Sequence, residues 1–109
     1  MPHCIIEYAA PLEKIIDISK LIDEVFTETA NTGLFDTTSI KVRALPFASF
    51  KTGADQQLYV NTTIKLLPGR TRQQKEGLGK AVLQSKQALL DGKALLSVEV
   101  VDISATYFK

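Results

Sequence analysis

The sequence predicts an α+β fold: a two-layer α/β domain with a four-stranded mixed sheet and two helices on one face, in the order β-α-β-β-α-β. Three observations support this. Four short apolar runs have strand character, two longer stretches repeat their apolar residues at helical spacing, and the strand-helix-strand order occurs twice at about half the chain length. With 109 residues, the chain is the size of one domain over 1–109, with βαβ halves at about 2–50 and 57–105.

The first strand covers 3–8, directly behind Met1-Pro2. Pro11 suits the first turn of a helix, where its missing N–H costs nothing. From Leu12 to Ala30, Ile15, Ile18, Ile22, Val25 and Phe26 recur at helical spacing, and Gly33 is the expected stop. Residues 39–47 alternate apolar and polar as a half-buried strand does, with Pro46 near its end.

The second half opens after the connection Lys51-Thr52-Gly53-Ala54-Asp55. Residues 58–67 read as a strand, with Val60, Thr62 and Ile64 on one face. Pro68-Gly69 turns the chain, and Thr71 with Gln74 matches a capping box at the head of the second helix. Leu78, Ala81, Val82 and Leu89 supply its apolar side, Asp91-Gly92 ends it, and 94–102 form the last strand. Each βαβ unit sets two strands parallel through a right-handed crossover. One face of the sheet is left bare. The first and last strands carry apolar residues on both sides, so that face is expected to pack against copies of itself.

Bulk properties narrow the function. A net charge of +1 gives no electrostatic argument for nucleic acid or an anionic membrane. The single cysteine, Cys4, excludes an internal disulfide. No stretch approaches the ~20 apolar residues that span a bilayer, and the N-terminus lacks signal-peptide character. A soluble cytoplasmic protein is therefore expected. One histidine and one cysteine do not make a zinc site, and the glycines are too scattered to cradle a phosphate, so no metal or cofactor is expected.

Pro2 is the leading catalytic candidate. Met-Pro is a junction where methionine is trimmed, which would leave a secondary amine at the chain start. A free α-amine titrates near ~8, and burial with nearby cations pushes it lower, toward a general base at neutral pH. If Met1 stays, the nitrogen is an amide and has no basicity. Arg70, with Arg72, flanks Thr71 at a helix start and suits a carboxylate. Lys41 and Arg43 share one strand face, which meets solvent, a carboxylate ligand or an acidic neighbour. Phe47 and Phe50 either wall a pocket or fill the core. His3 points away from Pro2 and suits a surface or interface role, and Cys4 reads as a small buried hydrophobe.

Met-Pro-His before a short strand, Thr32-Gly33-Leu34-Phe35, Ser39-Ile40-Lys41-Val42-Arg43, Leu67-Pro68-Gly69-Arg70-Thr71 and Phe108-Lys109 occur in this order. Together they resemble 5-carboxymethyl-2-hydroxymuconate isomerase, a branch of the tautomerase superfamily with 4-oxalocrotonate tautomerase and macrophage migration inhibitory factor. The resemblance covers nearly the whole chain. It implies a tautomerase/MIF-like homotrimer whose sheets face a central core. It also implies a cofactor-independent keto-enol isomerase of aromatic acid catabolism, with Pro2 as base and a small carboxylate substrate bound by Arg70, Lys41 and Arg43. Lys41 departs from the arginine usual at its position, and lysine lacks the planar two-pronged grip. Phe47 or Phe50 would be the ring that lowers the amine pKa. Two alternatives stay open: a superfamily tautomerase or dehalogenase for another small acid, and a non-catalytic trimeric scaffold of the same fold.

Overall fold

The computed structural model describes residues 1–54 and 57–109. The element order is β1 (Pro2–Ala9), a 3-10 helix (Ala10–Lys14), α1 (Ile18–Asn31), a short 3-10 turn (Thr37–Ser39), β2 (Lys41–Phe47), β3 (Tyr59–Leu66), α2 (Arg72–Leu90) and β4 (Leu95–Asp102). The four strands form one mixed sheet in the order β2-β1-β3-β4. β1 runs parallel to β2, β3 parallel to β4, and the two halves meet antiparallel between β1 and β3. The expected connection over 51–55 ends at Asp55, which lies outside the described residues.

Alternation along the strands builds the core. Cys4, Ile6 and Tyr8 of β1 and Val60, Ile64 and Leu66 of β3 face the helices. Leu21 and Val25 of α1 and Leu78, Val82 and Leu90 of α2 close over them. Burying each such side chain contributes about 1.5–3 kcal/mol.

α2 follows the sequence closely. Thr71 Oγ1 accepts from Gln74 N at 3.1 Å, and the Gln74 side chain accepts from Thr71 N at 2.8 Å. Asp91 (φ 46°) and Gly92 (φ 77°) take the left-handed conformation that stops the helix. The first helix differs from expectation. Its periodic stretch is not continuous: the 3-10 helix ends at Lys14 and α1 begins afresh at Ile18, with Asp17 as N-cap accepting from Ser19 N. The restart shifts the apolar phase. Leu21, Val25 and Thr29 become the buried row, while Ile15 and Phe26 are exposed.

The open face of the sheet also differs. It displays His3, Ile5 and Glu7 of β1, Lys41, Arg43 and Leu45 of β2, Asn61, Thr63 and Lys65 of β3, and Leu95, Ser97, Glu99 and Val101 of β4. This surface mixes charged and apolar groups, so it is more polar than the sequence suggested. The inward-facing Leu96, Val98 and Val100 account for much of β4's apolar content and pack against the core. Large apolar side chains do remain in solvent on both edge strands, at Leu45 (52% exposed) and Leu95 (56%).

Candidate active site

Strand direction brings four distant points of the chain to one end of the sheet. β1 and β2 begin there, with His3 opposite Lys41. β3 and β4 end there, with Leu66 opposite both Pro2 and Asp102. Pro2 itself is buried on the helix side of β1.

The turn after β3 carries Arg70. Gly69 has φ 122°, a conformation that L side chains resist, and this lets the chain reverse sharply before the helix. The Arg70 guanidinium is then fixed from the other half of the chain. Its Nη2 donates to the Leu34 carbonyl at 2.8 Å, and its Cζ lies 4.8 Å from the centre of the Phe35 ring. Leu34 and Phe35 follow Gly33, whose φ of 71° ends α1. The segment Thr32-Gly33-Leu34-Phe35 is therefore the seat on which Arg70 rests.

The first amine of the chain, on Met1, donates to Ser39 Oγ at 2.5 Å. It titrates below its ordinary value because of partial burial first, then the positive charges of Lys109, Lys41 and Arg70; Asp36 opposes them. Three cations thus surround the start of the chain. Lys41 is exposed, with Nζ 3.4 Å from the Ser39 carbonyl. Lys109, Ser39 and Asp36 were not singled out as site residues from the sequence. The motif Phe108-Lys109 was the only signal for the first of them.

Arg43 is placed differently. Its Nη1 lies 3.1 Å from His3 Nδ1, on the open face of the sheet. It belongs to a cavity of about 480 Å³ lined by His3, Arg43, Lys65, Asp102 and Tyr107, among others. His3 is half-buried and titrates below its ordinary value, from desolvation and then from Arg43, Lys41, Lys65 and the terminal amine. Arg72 stays outside the site: it is exposed and pairs with Glu76 at 2.9 Å.

Phe47 and Phe50 lie at the far end of β2. Six residues separate Lys41 from Phe47, about 20 Å of strand. Phe50 stacks edge-to-face on Tyr59, with ring centroids 5.5 Å apart. These rings do not approach Pro2 of their own protomer. Cys4 is buried as expected, its thiol 3.7 Å from Thr29 Oγ1 and its pKa raised by burial. Among the described residues no group of three His, Cys, Asp or Glu is placed to hold a metal ion. No described helix is long and apolar enough to cross a membrane.

An anchored arginine and a chain-start amine ringed by cations form a positively charged end of the sheet, chemically suited to an anion. The family model described as 5-carboxymethyl-2-hydroxymuconate isomerase matches residues 2–108. The chain belongs to this isomerase family. Its backbone resembles a solved 5-carboxymethyl-2-hydroxymuconate delta-isomerase with a TM-score of 0.85 at 18% identity, covering 100% of this chain and 86% of that one. A 5-carboxymethyl-2-hydroxymuconate isomerase from Deinococcus radiodurans R1 gives 0.83 at 22% identity, with 99% and 88% covered. A wild-type fused 4-OT described as an asymmetric trimer gives 0.75 at 20% identity, with 98% and 90% covered. At these identities the structural likeness establishes the tautomerase fold, and the family match supports an isomerase. No curated protein matches the chain by sequence.

Proposed function

We propose that this protein shifts a proton within a small unsaturated di- or tricarboxylate of the 5-carboxymethyl-2-hydroxymuconate type, with the Pro2 amine as general base once Met1 has been removed. The single observation behind this reading is the amine at the chain start, whose pKa is lowered by partial burial first and then by the charges of Lys109, Lys41 and Arg70. Trimming moves the free amine one residue inward, onto a strand end that is already buried.

In the proposed step the neutral Pro2 nitrogen takes the 2-hydroxyl proton of a dienol. The oxygen's electron pair becomes a carbonyl and the double bonds shift along the chain of carbons. The prolinium then returns a proton to the distal carbon, giving a conjugated ketone and restoring the amine. Atoms and electrons balance with no further reactant and no cofactor. Arg70, held from behind by Leu34 and Phe35, and Lys41 are suited to the substrate carboxylates. Arg43 shares the face of Lys41 but has one donor directed to His3.

Assembly is part of the reading. A homotrimer, as named for the fused 4-OT structure, would cover the edge residues Leu45 and Leu95. It would also allow Phe47 or Phe50 of one protomer to wall the site of the next. A role in the cytoplasmic breakdown of aromatic acids fits the substrate class.

The test is turnover of a hydroxymuconate-type dienol or phenylpyruvate by protein whose intact mass shows Met1 removed. Pro2→Ala is expected to lose at least about 10²-fold in kcat; full activity in that variant would end the base assignment. A panel of 2-oxo and haloacrylic acids separates the isomerase from related acid-transforming enzymes. One observation favours the rival reading of a non-catalytic scaffold: the Met1 amine is well seated on Ser39. Methionine retained on protein from its own host would support that rival.

A further inference from the structure

The segment after β4 folds back over the start of β1. Tyr107 N donates to the Ser104 carbonyl at 3.2 Å, and the Ser104 and Thr106 hydroxyls lie 2.9 Å apart. This turn sets Tyr107 Oη 3.0 Å from His3 Nε2, with the two rings edge-to-face at 6.1 Å between centroids.

Chemistry fixes the direction of each hydrogen bond. A guanidinium only donates, so His3 Nδ1 must accept from Arg43. The imidazole proton is then on Nε2, which donates to Tyr107 Oη. The phenol keeps its own hydrogen for a forward bond, and that hydrogen goes to Met1 Sδ at 3.5 Å. A thioether is a weak acceptor. It also belongs to the residue whose removal the proposed function requires.

Tyr8 provides the contrast within the same sheet. Its hydroxyl donates to Glu13 Oε2 at 2.5 Å, so its hydrogen is committed. Tyr107 is backed by a donor in place of a carboxylate, and its hydrogen meets only the weak thioether acceptor of Met1. Burial first, and then the charges of Arg43, Lys41, Lys65 and the terminal amine, lower the His3 pKa, which favours the neutral ring that the geometry of the Arg43 bond calls for. The one carboxylate on the cavity wall, Asp102, is 3.4 Å from Lys75.

We propose that Tyr107 is a catalytic hydrogen-bond donor to the substrate's 2-oxygen, occupying the direction now taken by Met1 Sδ, and that His3 and Arg43 are positioning residues that aim it. This deepens the proposed function and rests on it. When Pro2 removes the hydroxyl proton, the oxygen gains negative charge. A neutral O–H already directed at that oxygen binds the charged form more strongly than the neutral one, which lowers the barrier. The cavity of about 480 Å³ on the open face supplies the wall behind the phenol, with His3, Arg43 and Tyr107 in its lining, while the hydroxyl hydrogen is directed out of it toward Met1.

The experiment uses full-length protein with Met1 removed. Tyr107→Phe is expected to lower kcat about 10- to 100-fold with KM within about 3-fold. His3→Leu should match it, and the double variant should be no worse than either. His3→Gln should recover most of the activity, because its amide oxygen can accept from Arg43 while its N–H donates to Tyr107. NMR of the single histidine gives a reading independent of activity: the Nε2–H tautomer is expected. A Nδ1–H tautomer, or wild-type kcat in Tyr107→Phe beside an inactive Pro2→Ala, overturns the proposal. Full activity in Pro2→Ala would instead overturn the base assignment while leaving the tautomer and Tyr107→Phe results to be read on their own.

Discussion

Lys86 makes the protein's stability depend on pH in an unusual direction. Its side chain has no exposed surface, in the buried row of α2 between Val82 and Leu90. Nζ donates to Thr62 Oγ1 at 2.7 Å and to the Ser97 carbonyl at 3.0 Å, and among the described residues no carboxylate pairs with it. Burial alone pulls its pKa from 10.5 down to about 8. The unfolded chain therefore holds this proton more tightly than the folded one. Stability rises as pH climbs from about 8 to 10.5, and the contribution is lost as pH falls through about 8. The gap, 10.5 minus about 8, corresponds to about 3 kcal/mol.

Lys86→Met isolates the effect. Urea unfolding of both proteins, at one fixed protomer concentration and at pH 7.5 and 10.5, gives a difference of differences. Wild type should gain about 3 kcal/mol on the variant between the two pH values, on the order of 1–3 M urea in midpoint. Tyr8, pushed up to about 12 by burial and by Glu13, and Cys4 also titrate at alkaline pH. They are present in both proteins and cancel. A difference that stays flat within about 1 kcal/mol would show that the buried ammonium is hydrated or paired in solution, and the desolvation argument would fail.

Two further outcomes concern the site. Arg70→Ala should reduce kcat/KM by about 10²-fold or more, because a charge-assisted carboxylate grip is lost. Arg70→Lys should recover only part of it, since lysine lacks the planar fork that now reaches Leu34 and Phe35. Lys109→Met should move the acid limb of the pH–rate profile upward, because removing a positive charge lets the amine hold its proton to higher pH. Lys109→Arg should leave the limb in place, and a limb unmoved in both variants would remove Lys109 from the site.

Most of the fold was legible because its signals were local. Thr71 and Gln74 named the start of α2, and Asp91-Gly92 its end, three residues or fewer apart in each case. The break at Asp17 was missed because Ile15, Ile18, Ile22 and Val25 keep a helical spacing across it. Only the cap at Asp17 and Ser19 reveals the restart, and that pair is a weak signal against an apolar run. Pro2, Lys41 and Arg70 could be named as candidates from residue type and position, and the fold brings Lys41 and Arg70 close to the start of the chain; their roles belong to the proposed function. Lys86 gave no warning, since a lysine in an apolar helical row reads as a solvent-facing residue until Thr62 and Ser97 are seen opposite it. Tyr107 and Lys109 were harder to place for a different reason: the groups they act on, His3 and Met1 for Tyr107 and the Met1 amine for Lys109, lie more than a hundred residues away in sequence.

That distance is closed by strand polarity alone. With β1 and β2 parallel and β3 reversed, the starts of the first pair and the ends of the second must share an edge. The edge collects residues 2, 41, 70 and 107 without any long loop, and it collects their charge as well. Lys41, Arg70, Lys109 and the terminal amine meet there; Asp36 opposes them, while Asp102 at the same end is paired with Lys75. Crowding like charges destabilises an empty site, yet the chain is almost neutral, so its acids could have been distributed to compensate. Their placement elsewhere leaves an anion as the natural neutralising partner. A bound dicarboxylate would then relieve repulsion among the cations and, in doing so, raise the basicity of the amine it is about to use. On the proposed function, the electrostatics that would recruit the substrate would also tune the base, so Lys41 and Lys109 would serve binding and catalysis together.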